Sequence, residues 1–339
     1  MINIALDVMG GDDCPDCNID GAYDALNADK DIRLLLVGPA ELIKSKTAGW
    51  SDELKSRTEI VEADEVITTE ESPVSAVRKK KNSSITVGAH AVRDGRADAF
   101  VSAGSSGAVL AAGQLIVGRL PGVHRPPLAS MIPTAKGFSL FLDLGANVDA
   151  KPEWLYQFAR MGSIYMEKVQ HAGSPVVKLV NLGVEEEKGN ALTKETHAML
   201  SQSSEINYQG FIESRDVIMG DADVIVADAF TGNAILKTME GTLSFVMSVL
   251  KSVLKSSLLT KLAALMIMKP LKNKMKEFSA SEQGGAMLLG LNGLVVKCHG
   301  NASRKDIKNA LLKSAGFIRE DVCGTIREAF DKNNQLNNV

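Results

Sequence analysis

Four cysteines in 339 residues leave too little sulfur for a framework of stapling disulfides. Aromatic residues make up only 5% of the chain, while glycine reaches 29 positions. That balance suits parallel strands joined to helices by tight glycine loops better than an all-β sandwich. No excess of positive charge exists either. The formal net charge is −3, so no global field recruits nucleic acid, and any basic surface must be local. A membrane-spanning helix needs roughly 18 or more nearly uninterrupted apolar residues. The longest candidate, 262–268, is far shorter. The start Met1-Ile2-Asn3-Ile4 lacks the basic and small-residue features of a secretory signal, so the chain reads as cytoplasmic.

Two of the cysteines, Cys14 and Cys17, have the C-x-x-C spacing of a redox or zinc pair. A structural zinc wants two more ligands, and no second C-x-x-C supplies them. The pair directly follows a first strand, and it reads as two reduced thiols in a loop.

What is present is an alternation. Short apolar runs bounded by turn residues stand at 2–8, 33–37, 58–61, 99–102, 139–142, 176–181 and 224–227. Helical periodicity occupies 15–26, 72–80, 86–93, 107–117 and 152–169 between them. This β-α order predicts an α/β fold, a three-layer α/β/α sandwich, with residues 1–339 as one domain whose two lobes flank a cleft. One segment breaks the order. From 238 to 278 the chain reads as helix throughout, with Leu243, Val246, Met247, Leu250, Val253 and Leu254 in one apolar stripe. Lysines 251, 255, 261, 269, 272, 274 and 276 surround it. Such a stripe packs on the body or on a second copy. Its apolar second half, with Leu258, Leu262, Leu265, Met266 and Ile267 among interleaved lysines, also suits an anionic lipid surface.

Ligands of open α/β sheets bind beyond the carboxyl ends of strands. Four such loops are rich in small polar residues. Asp7-Val8-Met9-Gly10-Gly11-Asp12 follows the first strand, and Ser102-Ala103-Gly104-Ser105-Ser106-Gly107 opens an alanine-rich helix. Leu142-Asp143-Leu144-Gly145-Ala146-Asn147 precedes the Pro152 helix, and Asp228-Ala229-Phe230-Thr231-Gly232-Asn233 leads toward Lys237. Taken singly, each is more commonly a turn than a site; together they suggest a phosphate-binding cleft. None matches the nucleotide-triphosphatase P-loop, and none is a clean dinucleotide fingerprint. Lys188 and Lys237 are candidate cations with a solvated surface lysine as the alternative. His299 reads equally as a core or edge histidine and as an acid/base group.

At these residues the sequence resembles the PlsX-type phosphate acyltransferases of bacterial phospholipid synthesis. The matching runs are 7–12 (DVMGGD), 102–108 (SAGSSGA), 143–147 (DLGAN), 181–189 (NLGVEEEKG), 210–216 (GFIESRD), 228–237 (DAFTGNAILK) and 284–290 (GGAMLLG), then His299-Gly300. They run in order along the whole chain. The departures are Ser105-Ser106, where the family more often has Asn-Thr, and the Cys14/Cys17 pair. The resemblance implies a fold similar to phosphate acetyltransferases and isocitrate/isopropylmalate dehydrogenases. It implies an acyl-carrier-protein thioester and inorganic phosphate as substrates, acyl phosphate as product, and neither cofactor nor metal. A homodimer is implied, with the helical excursion meeting its partner and touching the membrane peripherally, and a downstream glycerol-3-phosphate acyltransferase as consumer. On this reading Ser105, Ser106, Thr231, Gly232 and Lys188 capture phosphate, and Gly10, Gly11, Asp12, Gly107, Asp143, Asn147 and Lys237 complete the substrate cradle. Asn233 is the oxyanion donor and His299 the proton donor to the leaving thiolate. Rival readings are a short-chain acyl-CoA phosphate acyltransferase, an NAD-dependent decarboxylating dehydrogenase on the same fold, and a membrane-associated scaffold.

Overall fold

Apolar residues on both faces of a strand require cover on both sides, and the buried runs expected from the sequence all form strands in the structure, a computed structural model that describes residues 1–277 and 284–336. The strands are β1 (Ile2–Asp7), β2 (Ile32–Gly38), β3 (Thr58–Glu62), β4 (Ala99–Ser102), β5 (Leu128–Thr134), β6 (Gly137–Leu142), β7 (Val177–Asn181), β8 (Tyr208–Glu213), β9 (Val224–Val226), β10 (Ala286–Leu288) and β11 (Leu294–Lys297). They form one mixed sheet in the order β3-β2-β1-β4-β11-β10-β5-β6-β9-β7-β8. Strands β3, β2, β1, β4 and β11 run parallel; β10 is antiparallel to both neighbours, and the β5–β6 hairpin reverses the direction for β9, β7 and β8.

The helices are α1 (Asp16–Ala28), α2 (Ala40–Thr47), α3 (Asp52–Ser56), α4 (Pro73–Lys79), α5 (Ser84–Arg93), α6 (Ser106–Ala112), α7 (Pro152–Val169), α8 (Ala191–Ser201), α9 (Ala229–Lys255), α10 (Leu258–Glu277), α11 (Arg304–Arg319) and α12 (Val322–Leu336). The period of two along a strand sorts them into layers. Ile4, Leu6, Leu34, Leu36, Val101, Leu140, Leu142, Val224 and Val226 share one continuous core with α1, α7, α8, α11 and α12. Their neighbours on the other face divide. Ala5, Leu35, Val37 and Phe100 pack with α4, α5 and α6, whereas Phe141, Val180 and Ile225 form a separate cluster beneath the start of α9. The three-layer α/β/α expectation holds, and one face carries two cores with space between them.

Four strands were not anticipated from the sequence. β5 contains Pro133, which cannot donate to a ladder; it pairs with Phe138 on one side and lies beyond the reach of β10 on the other. β10 and β11 are only three and four residues long and are held by pairing rather than pattern. β8 presents Gln209 and Gly210 in mid-strand, a weak strand signal. The expected helix at 107–117 becomes a short α6 followed by a wider π turn, Gly113–Val117, where Gly113 meets Leu291 and Leu288. The excursion forms two helices, α9 and α10, broken at Ser256-Ser257, and α9 begins nine residues before 238. Residue 278 lies outside the described residues, as do the side chains of Leu258, Leu262 and Leu265. No helix among the described residues is long and apolar enough to cross a membrane.

Helix α1 packs on α11 through Gly21, where an added Cβ would stand 2.7 Å from Ile307 Cβ and 2.8 Å from the Arg304 carbonyl. Ala at this helical position gains about 1 kcal/mol of propensity, against roughly 1–3 kcal/mol for overpacking. Because branched carbon and backbone cannot swing away, Gly21→Ala should lower stability by up to about 2 kcal/mol, read from the urea midpoint.

Candidate active site

Adjacent parallel strands β1, β4 and β11 end side by side, so their three following loops meet. Asp7, at the end of β1, is fully buried and anchors two of them. Its carboxylate accepts from the Met9 N–H at 3.0 Å and the Ser102 hydroxyl at 2.7 Å, and Ser102 Oγ in turn accepts from the Gly104 N–H at 3.0 Å. Burial pushes the Asp7 carboxyl above the usual range, and those bonds oppose it. Gly10 lies where a Cβ would come within 2.5 Å of the Gly104 nitrogen, so two glycine backbones touch. The buried Asn18 amide donates to the Val8 and Gly10 carbonyls at 2.9 and 2.8 Å. The third loop joins through the Asp12 N–H, which donates to the Gly300 carbonyl at 2.7 Å. These loops border a cavity of about 300 Å³, lined by Asp7, Gly10, Gly11, Asp12, Gly104, Ser105, Ser106, Lys297 and Gly300, together with Thr68, Thr69 and Ser84.

A larger cavity of about 1180 Å³ adjoins it between the two cores of the divided face. Leu110 of α6, Leu128 and Ile132 of β5, Leu144 and Val148 of the β6–α7 loop, and Phe230, Leu236, Met239, Leu243 and Val246 of α9 make its walls largely apolar. Asn233, Lys237, Glu240 and His299 add polar groups, and Ser106 and Lys297 line both cavities.

The loops around the larger cavity are held from within. Asp143 accepts from the N–H groups of Leu128, Gly145, Ala146 and Asn147 at 2.9 to 3.1 Å, and from the Asn147 amide at 2.7 Å. Asn147 also donates to the Pro126 carbonyl at 2.9 Å. Asp228 caps α9, accepting from the Thr231 N–H at 3.0 Å and the Thr231 hydroxyl at 2.7 Å. Gly232 sits where a Cβ would stand 2.0 Å from the Asp143 carbonyl oxygen, which locks the α9 start onto the 143–147 loop. Lys237 donates to Glu240 at 2.7 Å, and His299 Nε2 lies 3.9 Å from the same carboxylate.

The family model described as "Fatty acid synthesis protein" matches residues 2–325. The chain belongs to this family, the PlsX-type phosphate acyltransferases. As a member, it is an acyltransferase. A phosphate acyltransferase of Clostridium beijerinckii is 43% identical over 334 residues, covering 98% of this chain and 100% of that protein. One from Geobacillus thermodenitrificans is 44% identical over 333 residues, covering 98% and 99%. Among solved structures, a phosphotransacetylase from Streptococcus pyogenes superposes with a TM-score of 0.59 at 17% identity, over 94% of each chain. The EutD phosphotransacetylase from Staphylococcus aureus gives 0.57 at 17% identity, over 93% of each. At that identity the likeness concerns the fold alone.

In this PlsX-type chain the residues expected from the sequence fall into three groups. Gly10, Gly11, Asp12, Ser105 and Ser106 line the smaller cavity, and Asn233, Lys237 and His299 the larger one. His299 is half-exposed at the wall, not a core residue. Asp143, Asn147, Thr231 and Gly232 serve their own loops, as described, and Gly107 packs against Pro73. Lys188 lines neither cavity; its ammonium donates to Glu185 at 2.9 Å on the surface. Lys297 was not anticipated, because the apolar run before it was not read as a strand ending at a candidate loop. The available signal was a lysine closing that run immediately before Cys298-His299-Gly300. The thiols of Cys17 and Cys298 are pushed up by burial to about 11 and about 12 respectively, which keeps both protonated. Asp7→Ala would leave the Met9 N–H and the Ser102 hydroxyl without their acceptor, at about 1–3 kcal/mol for each unpaired buried group. Calorimetry should register a loss of stability toward the upper part of that range or beyond.

Proposed function

We propose that the chain transfers a long-chain fatty-acyl group from an acyl-carrier-protein thioester to inorganic phosphate, giving acyl phosphate and free carrier. The observation that carries this reading is the adjacency of a small cavity walled by hydroxyls and glycine backbone and a large apolar one, sharing Ser106 and Lys297. The first suits an oxyanion; the second suits a fatty chain. Two lobes of one domain then flank the cleft, each contributing one side of it.

Inorganic phosphate, like its monoesters with a second pKa of about 6, is partly dianionic near neutrality, and the dianion attacks without a strong base. One phosphate oxygen bonds to the thioester carbon, the carbonyl oxygen takes negative charge, and the C–S bond then breaks. Alignment and a donor aimed at that oxygen are what the protein must supply. Asn233, on the wall of the larger cavity, is assigned the oxyanion contact. His299, at the wall, is assigned the proton delivered to the departing pantetheine thiolate.

The excursion supplies the remaining partners of the reading. Carrier proteins of this kind are acidic, and Lys251, Lys255 and Lys261 offer complementary charge on α9 and α10. Leu243, Phe245, Val246, Val249 and Val253 are exposed along α9 and suit a second copy of the chain. Leu259, Met266, Ile267 and Met268 are exposed on α10 and suit a peripheral position on the cytoplasmic membrane face, where an acyl phosphate would pass to a glycerol-3-phosphate acyltransferase.

Hydroxylamine trapping should yield acyl hydroxamate above the thioester's own background reaction only when enzyme and phosphate are both present, and far less from acetyl-CoA than from a long-chain carrier thioester; equal increments would favour the short-chain reading. Asn233→Ala should lower turnover by about 10²–10³-fold with little change in melting temperature. Lys188→Ala tests the surface loop in parallel: a comparable loss gives it a part in substrate capture, while unchanged turnover leaves it as the partner of Glu185. Replacing Met266 and Ile267 together by Glu should abolish co-sedimentation with anionic vesicles while leaving the folded state intact.

A further inference from the structure

Lys297 ends β11, in register with Ser102 at the end of β4. Its side chain is only 8% exposed and forms wall common to both cavities. The ammonium donates to the carbonyl oxygen of Cys298. Among the described residues no carboxylate lies within ion-pairing distance of it. The nearest acidic groups, Asp7 and Asp12, act at longer range, and both oxygens of Asp7 are already engaged by Met9 and Ser102. An ammonium has three N–H donors, so this one keeps two without a protein acceptor among the described residues. A buried positive charge with no counterion is strongly unfavourable unless a ligand supplies one.

We propose that Lys297 binds the attacking phosphate at the junction of the two cavities and holds it against the acyl carbon. This rests on the phosphate-acyltransfer reading above. The Ser105 and Ser106 side chains and the Gly10-Gly11 backbone stand on the same cavity wall, so an oxyanion there meets both charge and hydrogen-bond donors. A neutral ligand would leave the ammonium uncompensated. A second ammonium or a thioether would be repelled or unbonded. Burial draws the Lys297 ammonium below the ordinary lysine range, and a bound dianion would oppose that shift. Lys297 would then be a catalytic residue, touching the substrate that attacks.

The test uses the full chain and Lys297→Met, which keeps length and apolar stem but removes the charge. Charge-assisted hydrogen bonds of this kind are worth about ten- to hundred-fold in affinity. With a saturating long-chain carrier thioester, kcat/KM for phosphate should therefore fall by at least about ten-fold, while KM for the thioester is unchanged. Calorimetric titration with inorganic phosphate should weaken by the same factor, with the melting temperature held. Unaltered phosphate affinity and unaltered kcat/KM in a folded variant would overturn the proposal. Should the variant not fold, the wild-type protein decides: saturating phosphate should slow reductive methylation of Lys297 relative to exposed Lys136, and equal rates with and without phosphate would overturn it. If the wild-type protein makes no acyl phosphate, the transfer reading fails, yet the titration and labelling still judge Lys297 as a phosphate ligand.

Discussion

The pairing of β11 alongside β4 is the constraint on which the rest of this protein depends. The β10–β11 hairpin returns from late in the chain and enters the middle of the sheet, with β4 on one side and β5 on the other. Without it, β3-β2-β1-β4 and β5-β6-β9-β7-β8 would have no shared ladder. The same four residues of β11 place Lys297 beside Ser102 and bring Gly300 onto the Asp12 amide. Backbone hydrogen bonds across some two hundred residues of chain thus join the sheet and bring the candidate site's loops together.

A sheet built this way has unequal faces. On one side α1, α11, α7, α8 and α12 close a continuous core. On the other, the reversal of strand direction around β10 and β5 separates two clusters, and the larger cavity lies between them. Leu128 packs at the edge of both clusters. A fatty chain requires just such apolar space, whereas phosphate requires fixed donors. The two requirements conflict within one pocket, and on the proposed reading two pockets with a common wall would meet them. Rigidity comes from Asp7 and Asp143, each buried and each accepting several bonds from its own or a neighbouring loop. Donors held this way need no reorganisation when charge develops on a substrate.

Helix α9 links the site to the surface. Only Ala229 and Gly232 are buried along its 27 residues; Ile235, Leu236 and Met239 still pack against the cluster beneath its start, and the later turns leave the body. At 1.5 Å per residue it extends for about 40 Å. Its first turns carry Asn233 and Lys237 into the larger cavity, and its later turns expose Phe245, Val249 and Val253. A contact made by the outer part therefore bears on the helix that carries the candidate oxyanion donor. This follows from the stiffness of a continuous helix and from the Gly232–Asp143 lock at its base.

The sequence by itself determined the layered α/β class, most strand positions, the helical excursion and the family, because apolar periodicity and ordered loop motifs are local properties. It marked loops that line the two cavities, since glycine, serine and aspartate after a strand constrain backbone wherever they occur. It did not distinguish residues that face a cavity from those that hold a loop: Asp143 and Thr231 carry the same chemistry as Asp12 and Ser106, and only packing decides which oxygens remain available. It passed over β5, β10 and β11, which join the sheet through the long-range β5–β10 and β4–β11 pairings, and with them Lys297. A lysine at the end of a buried strand looks like the last residue before solvent. Only the tertiary structure, by laying β11 between β4 and β10, turned it inward and left its charge without a counterion among the described residues.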